Sequence, residues 1–347
     1  MFQHVAALAE GLAAGGHEVV VAGPIDGAAA APVERLEMVR SVSPREDAAA
    51  VAALARLLRR MRPDVIHAHS SKAGAVARLA RVARPRTPLI YTPHGFAFNG
   101  WFESESERGR YRMVERALTP LATTVLCVCE AERRLARSIG VRRTDVVYNG
   151  VAPFAPGTPH PALAALRERG PVVGVLSLLR PGKGLETLID AAPGVLAAHR
   201  GASFVIAGEG PDRGDLEERA RRLGVAEAVV FLGLIDGPAS LLSGTDLLVN
   251  PSWAESFPLS TLEAMQAGLP VVISDVGGAA EAIVNGESGV LVPPRDAAAL
   301  AHAISGMLAD PERVAAVGVA ARERVQERFS LSRMIDGTAA VYARFTV

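Results

Sequence analysis

Two carboxylates, Glu255 and Glu263, flank a Ser256-Phe257-Pro258 turn and the start of a predicted helix within the stretch 250–289. Pro258 is assigned to the first helical turn, where its missing N–H is no loss. The backbone amides around Ser256 to Leu259 would then be open donors at the positive end of the helix, an arrangement that holds anions. Upstream, Leu179-Arg180-Pro181-Gly182-Lys183-Gly184 reads as another strand-to-helix turn. Its glycines allow close backbone approach and its two cations neutralise charge, so it suits a phosphate, although the Gly-x4-Gly-Lys-Ser/Thr spacing of a P-loop is absent. Taken singly, the glutamates serve equally well as solvated helix charges and the Arg-Lys loop as a surface turn. In combination they favour a diphosphate carrying hydroxyl-bearing rings on either side, the shape of a nucleotide sugar.

The elements that must position these groups alternate. Phe2, Val5, Leu8 and Leu12 repeat with a helical period, and Gly15-Gly16 ends that helix. Strands are predicted at 18–22, 36–41, 64–68, 89–92, 123–128 and 145–148, with helices between them, including 47–60 and 72–84. Strands alternating with helices imply a mostly parallel sheet covered on both faces. Asn149-Gly150, followed by Pro153, Pro156, Gly157 and Pro159, reads as a linker. The alternation resumes with strands at 172–177, 202–207, 228–232, 247–249, 271–274 and 289–292, and helices at 296–308, 311–328 and 331–345 close the chain. A doubly wound domain normally opens on a central strand. Here the first element is a helix, so Met1 is expected to be internal to a longer natural chain or to mark a truncation. The expected domains are 1–153, 154–330 and a terminal helix 331–347 that packs back toward the first, with a small-molecule cleft between the two α/β domains.

A length of 347 residues suits two domains. No run of eighteen apolar residues occurs, and no basic segment leads into an apolar core and cleavage site, so neither a membrane span nor a secretory leader is expected. The two cysteines, Cys127 and Cys129, lack metal or redox spacing, which fits a reduced, cytoplasmic setting. Net charge is zero, yet residues 1–153 carry 21 Lys+Arg against 15 Asp+Glu and the remainder 16 against 22. The basic half serves as a set of solvated arginine helices or as a contact for anionic lipid. Of 37 basic residues only Lys72 and Lys183 are lysines, which singles out two places where a compact ammonium is kept in preference to a planar guanidinium. His67 and His69 alternate on a strand ending in Ser70-Ser71-Lys72. Their spacing hints at a metal, but the sequence offers no third ligand, and strand packing is the better reading.

Arg180-x-x-Lys183, Glu255-x7-Glu263, Gly277-Gly278 with Glu281, Asn149-Gly150-Val151 and Tyr91-Thr92-Pro93-His94-Gly95-Phe96 together resemble the GT-B-fold retaining glycosyltransferases of family 4, the glycosyl transferases group 1. The resemblance implies two Rossmann-like doubly wound α/β domains facing a central cleft, the first lacking its opening strand. It assigns Arg180 and Lys183 to the donor diphosphate, Glu263 to the ribose hydroxyls and Glu255 to the transferred sugar. The backbone of Ser256, Phe257, Pro258 and Leu259 would support the phosphate or sugar, and Gly208, Gly210 and Leu234 would lie at the base. His94 would stand beside the donor sugar and leaving phosphate, giving a catalytic set of His94, Glu255, Arg180 and Lys183. Ser70, Ser71 and Lys72, with His94, Gly95 and Phe96, are the expected acceptor-side contacts. The implied partners are a nucleotide-sugar donor and a saccharide or lipid-linked acceptor in cell-surface polysaccharide synthesis, with no nucleic acid, no cofactor and no metal, and with peripheral contact at the inner face of an anionic membrane. A nucleotide-sugar epimerase and a non-catalytic sugar-nucleotide-binding protein are the alternatives.

Overall fold

The structure, a computed structural model, describes residues 2–24, 31–39, 42–102 and 104–346. The chain divides into two compact units, one of residues 1–149 and 331–347, the other of residues 150–330.

In the first unit, the helix Phe2–Ala14 buries His4, Leu8, Ala9 and Leu12, the stripe set by its apolar period. Gly16, at φ 88°, takes the left-handed conformation beyond its end. Leu8 and Leu12 pack against Met334 of the helix Leu331–Ala343, whose Val341 in turn meets Ile90 and Leu126. Strands β1 (Val21–Gly23) and β2 (Val33–Arg35) form a two-stranded parallel sheet. A separate four-stranded parallel sheet runs in the order β3 (Ile66–His69), β4 (Leu89–Thr92), β5 (Thr124–Cys127), β6 (Thr144–Val146). Every residue of β4 and β5 is buried, as expected of strands covered on both faces.

The strand expected at 36–41 forms instead at Val33–Arg35, and positions 40 and 41 of that expectation lie outside the described residues. Its place is set by β1: the Val21 N–H donates to the Pro32 carbonyl and the Leu36 N–H to the Gly23 carbonyl. Cys129, two residues beyond the end of β5, caps the helix Glu130–Ser138, its Sγ accepting from the Glu132 N–H.

In the second unit one six-stranded parallel sheet has the order β12-β11-β10-β7-β8-β9, with β7 at Val172–Leu176, β8 at Ser203–Ala207, β9 at Val229–Gly233, β10 at Leu247–Asn250, β11 at Val271–Ser274 and β12 at Val290–Val292. The chain builds outward from β7 through β8 to β9, returns to β10 on the other side of β7, and then builds outward again. Strands β7 and β10 therefore flank a topological switch point, and open α/β sheets bind ligands in the crevice outside the carboxyl ends of such strands. Val173, Val175, Phe204, Ile206, Leu247, Val249 and Val272 form the apolar core beneath it. Close packing demands Gly174, since a Cβ there would stand 2.4 Å from the Thr245 Cγ2.

Candidate functional site

The two loops singled out by their residue types follow β7 and β10, so the sheet order places both at the switch point. They are joined directly. The Trp253 N–H donates to the Gly182 carbonyl at 2.9 Å, and the Trp253 Nε1 donates to the Thr187 Oγ1 at 3.0 Å. Gly184 has φ 67°, and a Cβ on it would lie 1.9 Å from the Pro251 carbonyl oxygen. The Lys183 ammonium pairs with the Glu255 carboxylate, and both side chains are only 18% exposed. Ser252 Oγ donates to the same Glu255 oxygen at 3.0 Å. Arg180 is exposed and makes no ion pair among the described residues. One cation is thus held by a carboxylate while its neighbour stands open to an anion.

The Glu255-Ser256 turn is fixed from a third side. Gly277 has φ 56°, and a Cβ there would come within 1.9 Å of the Glu255 carbonyl oxygen; the Gly278 N–H donates to the Ser256 carbonyl at 2.7 Å. The helix expected to start at Pro258 begins one residue later, at Leu259–Ala267, with Pro258 as its cap at φ −72° and ψ 126°. Proline carries no N–H, so that end of the helix offers the Leu259 and Ser260 amides, and Pro258 contributes shape only. The Phe257 ring is buried and meets Phe329 edge-on at 5.1 Å between centroids. Its side chain belongs to the core, leaving only its backbone at the turn. Glu263 lies one turn inside the helix, half-buried, and that burial raises its carboxyl pKa above the ordinary value.

Gly208 and Gly210 follow β8, where Cβ atoms would lie 1.8 Å from the Ser177 carbonyl oxygen and 2.1 Å from that of Leu179. These glycines let the β8 loop press against the β7 loop. Leu234, following the edge strand β9, leaves 80% of its surface exposed beside Gly233.

The first-unit residues fall out differently. Lys72 pairs with Asp47, so its ammonium is already held. Ser71 Oγ accepts from the Ala97 N–H at 3.1 Å and lies 3.4 Å from the Tyr91 hydroxyl, a bracing role within the fold. Phe96 is 2% exposed and stacks with Phe98 at 5.1 Å, so its ring cannot touch an acceptor. Ser70 sits at φ 76°, and His94 and Gly95 at φ 52° and 95°. Two consecutive left-handed residues are costly unless the surroundings enforce them. Here the buried Glu132 does so, accepting from the Gly95 N–H at 2.6 Å and the Val128 N–H at 2.8 Å. No local pattern marks Glu132 for that role.

The histidines are packed among other rings. His69 does find further imidazoles: its Nδ1 lies 3.0 Å from the His94 Nε2, and His4 stands edge-on to His94 at 4.5 Å between ring centroids. His67 turns aside to Tyr342 and Thr92. Burial, followed by repulsion from neighbouring imidazoles, holds His69 and His94 well below the usual histidine range.

Comparison with known proteins follows the same division. Residues 170–310 match the glycosyl transferases group 1 family and residues 1–151 the glycosyl transferase 4-like domain. Glycogen synthase of Mycobacterium tuberculosis is 32% identical over 82% of this chain and 69% of its own length. Among solved structures, sucrose-phosphate synthase from Thermosynechococcus elongatus superposes with a TM-score of 0.82 at 27% identity, over 99% of this chain and 92% of that one. HepE of Anabaena, solved in complex with UDP, gives a TM-score of 0.73 at 26% identity, over 90% of this chain and 86% of that one. Two parallel-sheet Rossmann-like domains of the GT-B type, matched along nearly their full length, make the chain a member of the glycosyl transferases group 1, the family 4 retaining glycosyltransferases that use nucleotide-sugar donors.

Proposed function

We propose that the chain transfers a hexosyl group from a uridine diphosphate sugar to a hydroxyl of a saccharide or lipid-linked acceptor, in cell-surface polysaccharide synthesis at the cytoplasmic face of the membrane. The observation that carries the donor side is the meeting of Lys183, Glu255 and the open Arg180 at the β7/β10 switch point. The UDP-bound relative supports the choice of base.

In this reading the diphosphate takes the Lys183 ammonium from Glu255 and adds the Arg180 guanidinium, while the Leu259 and Ser260 amides support its oxygens. Glu263 accepts the ribose hydroxyls, and Leu234 with the glycine backbone at 208–210 bounds the base. When the anomeric carbon–oxygen bond breaks, its electron pair departs on the diphosphate, where the two cations stabilise the added charge. The acceptor oxygen bonds to the anomeric carbon and gives up its proton to the departing diphosphate oxygen. Glu255, freed from Lys183, lies where the positive anomeric centre forms and stabilises it electrostatically.

Because the cations do the work that Mg²⁺ does in many nucleotide enzymes, turnover is expected to be unchanged by added Mg²⁺ or Mn²⁺. A strict requirement for either would contradict the leaving-group assignment. The decisive test is thermal denaturation with UDP, GDP and ADP sugars, followed by product analysis with the donor that stabilises. A glycoside product supports the proposal; isomerised donor, or binding without turnover, would assign an epimerase or a binding protein instead.

A further inference from the structure

We infer that Arg295 is a positioning residue for the donor loops, acting through the Trp253 indole, and that it governs how tightly a nucleoside diphosphate is held. The inference rests on the donor reading above and adds to it a residue that works at one remove from the ligand. Arg295 follows β12 in the turn Pro293-Pro294-Arg295-Asp296. Although β11 separates β12 from β10 in the sheet, the guanidinium reaches over the Trp253 ring, which follows β10, with Cζ 4.3 Å from the ring centroid. Among the described residues no carboxylate forms an ion pair with it.

The backbone of Arg295 is the independent sign that this contact is built. Its φ is 63°, and among the described residues of the second unit it is the one non-glycine with a positive φ. A side chain is costly there, whereas glycine takes the conformation freely. The surroundings enforce it from both sides. Two prolines precede it, and Asp296 caps the helix Ala297–Leu308, its Oδ1 accepting from the Ala299 N–H at 2.8 Å. That helix packs on the helix Leu185–Ala198, into which the Lys183-Gly184 loop leads; a Cβ on Gly194 would lie 3.1 Å from the Ala301 Cβ.

Trp253 is the joint between the two donor loops. Its N–H and Nε1 hold the Gly182 carbonyl and the Thr187 hydroxyl, and a Cβ on Gly184 would come 3.1 Å from its Cδ1, so the loop backbone lies against the indole. The negative face of the ring attracts the guanidinium, and at exposed sites such a contact shifts an equilibrium by roughly two- to fivefold. A tilt of the indole would carry the Gly182 carbonyl with it and displace Lys183, the next residue along. Arginine at a glycine-like backbone therefore gives the donor loops a fixed indole.

The test uses the full chain, with UDP as the calorimetric probe and donor kinetics alongside. Arg295→Gly should weaken UDP binding and raise the donor KM by roughly two- to fivefold while kcat stays within about twofold, because a loss felt equally in the ground and transition states leaves kcat alone. Its Tm should stay within a few degrees of the parent, since glycine relieves the backbone as the contact is lost. In Trp253→Leu, which lacks the ring, adding Arg295→Gly should change UDP affinity by less than about 1.5-fold, the signature of an effect that passes through the indole. With Trp101→Phe as background, Trp253 is the sole indole, and Arg295→Gly should move its emission to longer wavelength as water reaches the ring. A parent that binds UDP and an Arg295→Gly variant that binds it equally well would overturn this inference and leave the donor reading standing. So would a loss that persists undiminished without the Trp253 ring, or a fall in kcat at unchanged KM. A parent without UDP affinity would overturn the donor reading and this inference with it.

Discussion

Lys183→Ala is expected to lower kcat/KM for the donor by roughly ten- to a hundredfold and to weaken UDP binding measured by calorimetry, while circular dichroism stays unchanged. A hydrogen bond to a charged group contributes about 1.5–3 kcal/mol, and removing this one strips the diphosphate of the cation best placed at the switch point. The free protein is affected less, because Glu255 keeps its bond from Ser252 Oγ at 3.0 Å. Lys183→Arg should fail to restore activity. The loop is threaded between Pro251 and Trp253, with a glycine on each side of the lysine, and a guanidinium is broader than the ammonium it would replace. Unchanged UDP affinity in Lys183→Ala would remove the donor site from these loops.

The second large effect is on stability and lies away from any ligand. Glu115→Ala should destabilise the first unit by about 3–5 kcal/mol, the range for breaking a buried ion pair. For a unit of this size that is a fall in Tm of roughly 6–20 °C. Arg78 is 1% exposed; its guanidinium donates to Glu115 at 2.9 Å and to the Gly74 carbonyl at 2.9 Å, and it stacks over the Tyr91 ring at 4.3 Å. The Tyr91 hydroxyl also donates to Glu115, at 2.9 Å. Alanine would strand a buried cation and a phenol together. The double replacement Arg78→Met with Glu115→Leu should recover much of the loss, because it removes the charge along with its partner. If Glu115→Ala melts within 2 °C or so of the parent, the network is not a determinant of stability.

The strands of this protein were legible where burial on both faces writes a continuous apolar run. Leu89–Thr92 and Val271–Ser274 occur as expected. Val33–Arg35 was not legible, because its place follows from pairing with β1 and not from its own residues. In the candidate site the cation loop and the acidic turn could be recognised separately by residue type. Their meeting could not, since it depends on the return of the chain to the far side of β7. Pro258 was misplaced by one residue because its φ suits the cap and the first helical position alike; ψ decides between them. Phe96 looked like a contact residue and is core, the usual fate of an aromatic beside a buried strand. The grouping of His69 with His94 and His4 could not be read either, because His4 lies far away in sequence on a helix whose period reports only its apolar face.

The separation of the first unit into two sheets bears on how that unit opens. Val21 bonds to the β2 side and Ile66 to the β4 side. In a parallel ladder, alternate residues face opposite neighbours, so the Ala22 and His67 amides point away from the one strand each is paired with. Two short sheets do not lock one another as the six continuous strands of the second unit do. Amide hydrogens of β1 and β2 therefore belong to a small cooperative block, with a free energy of opening well below that of β7 and β8, and solvent exchange should reach them first.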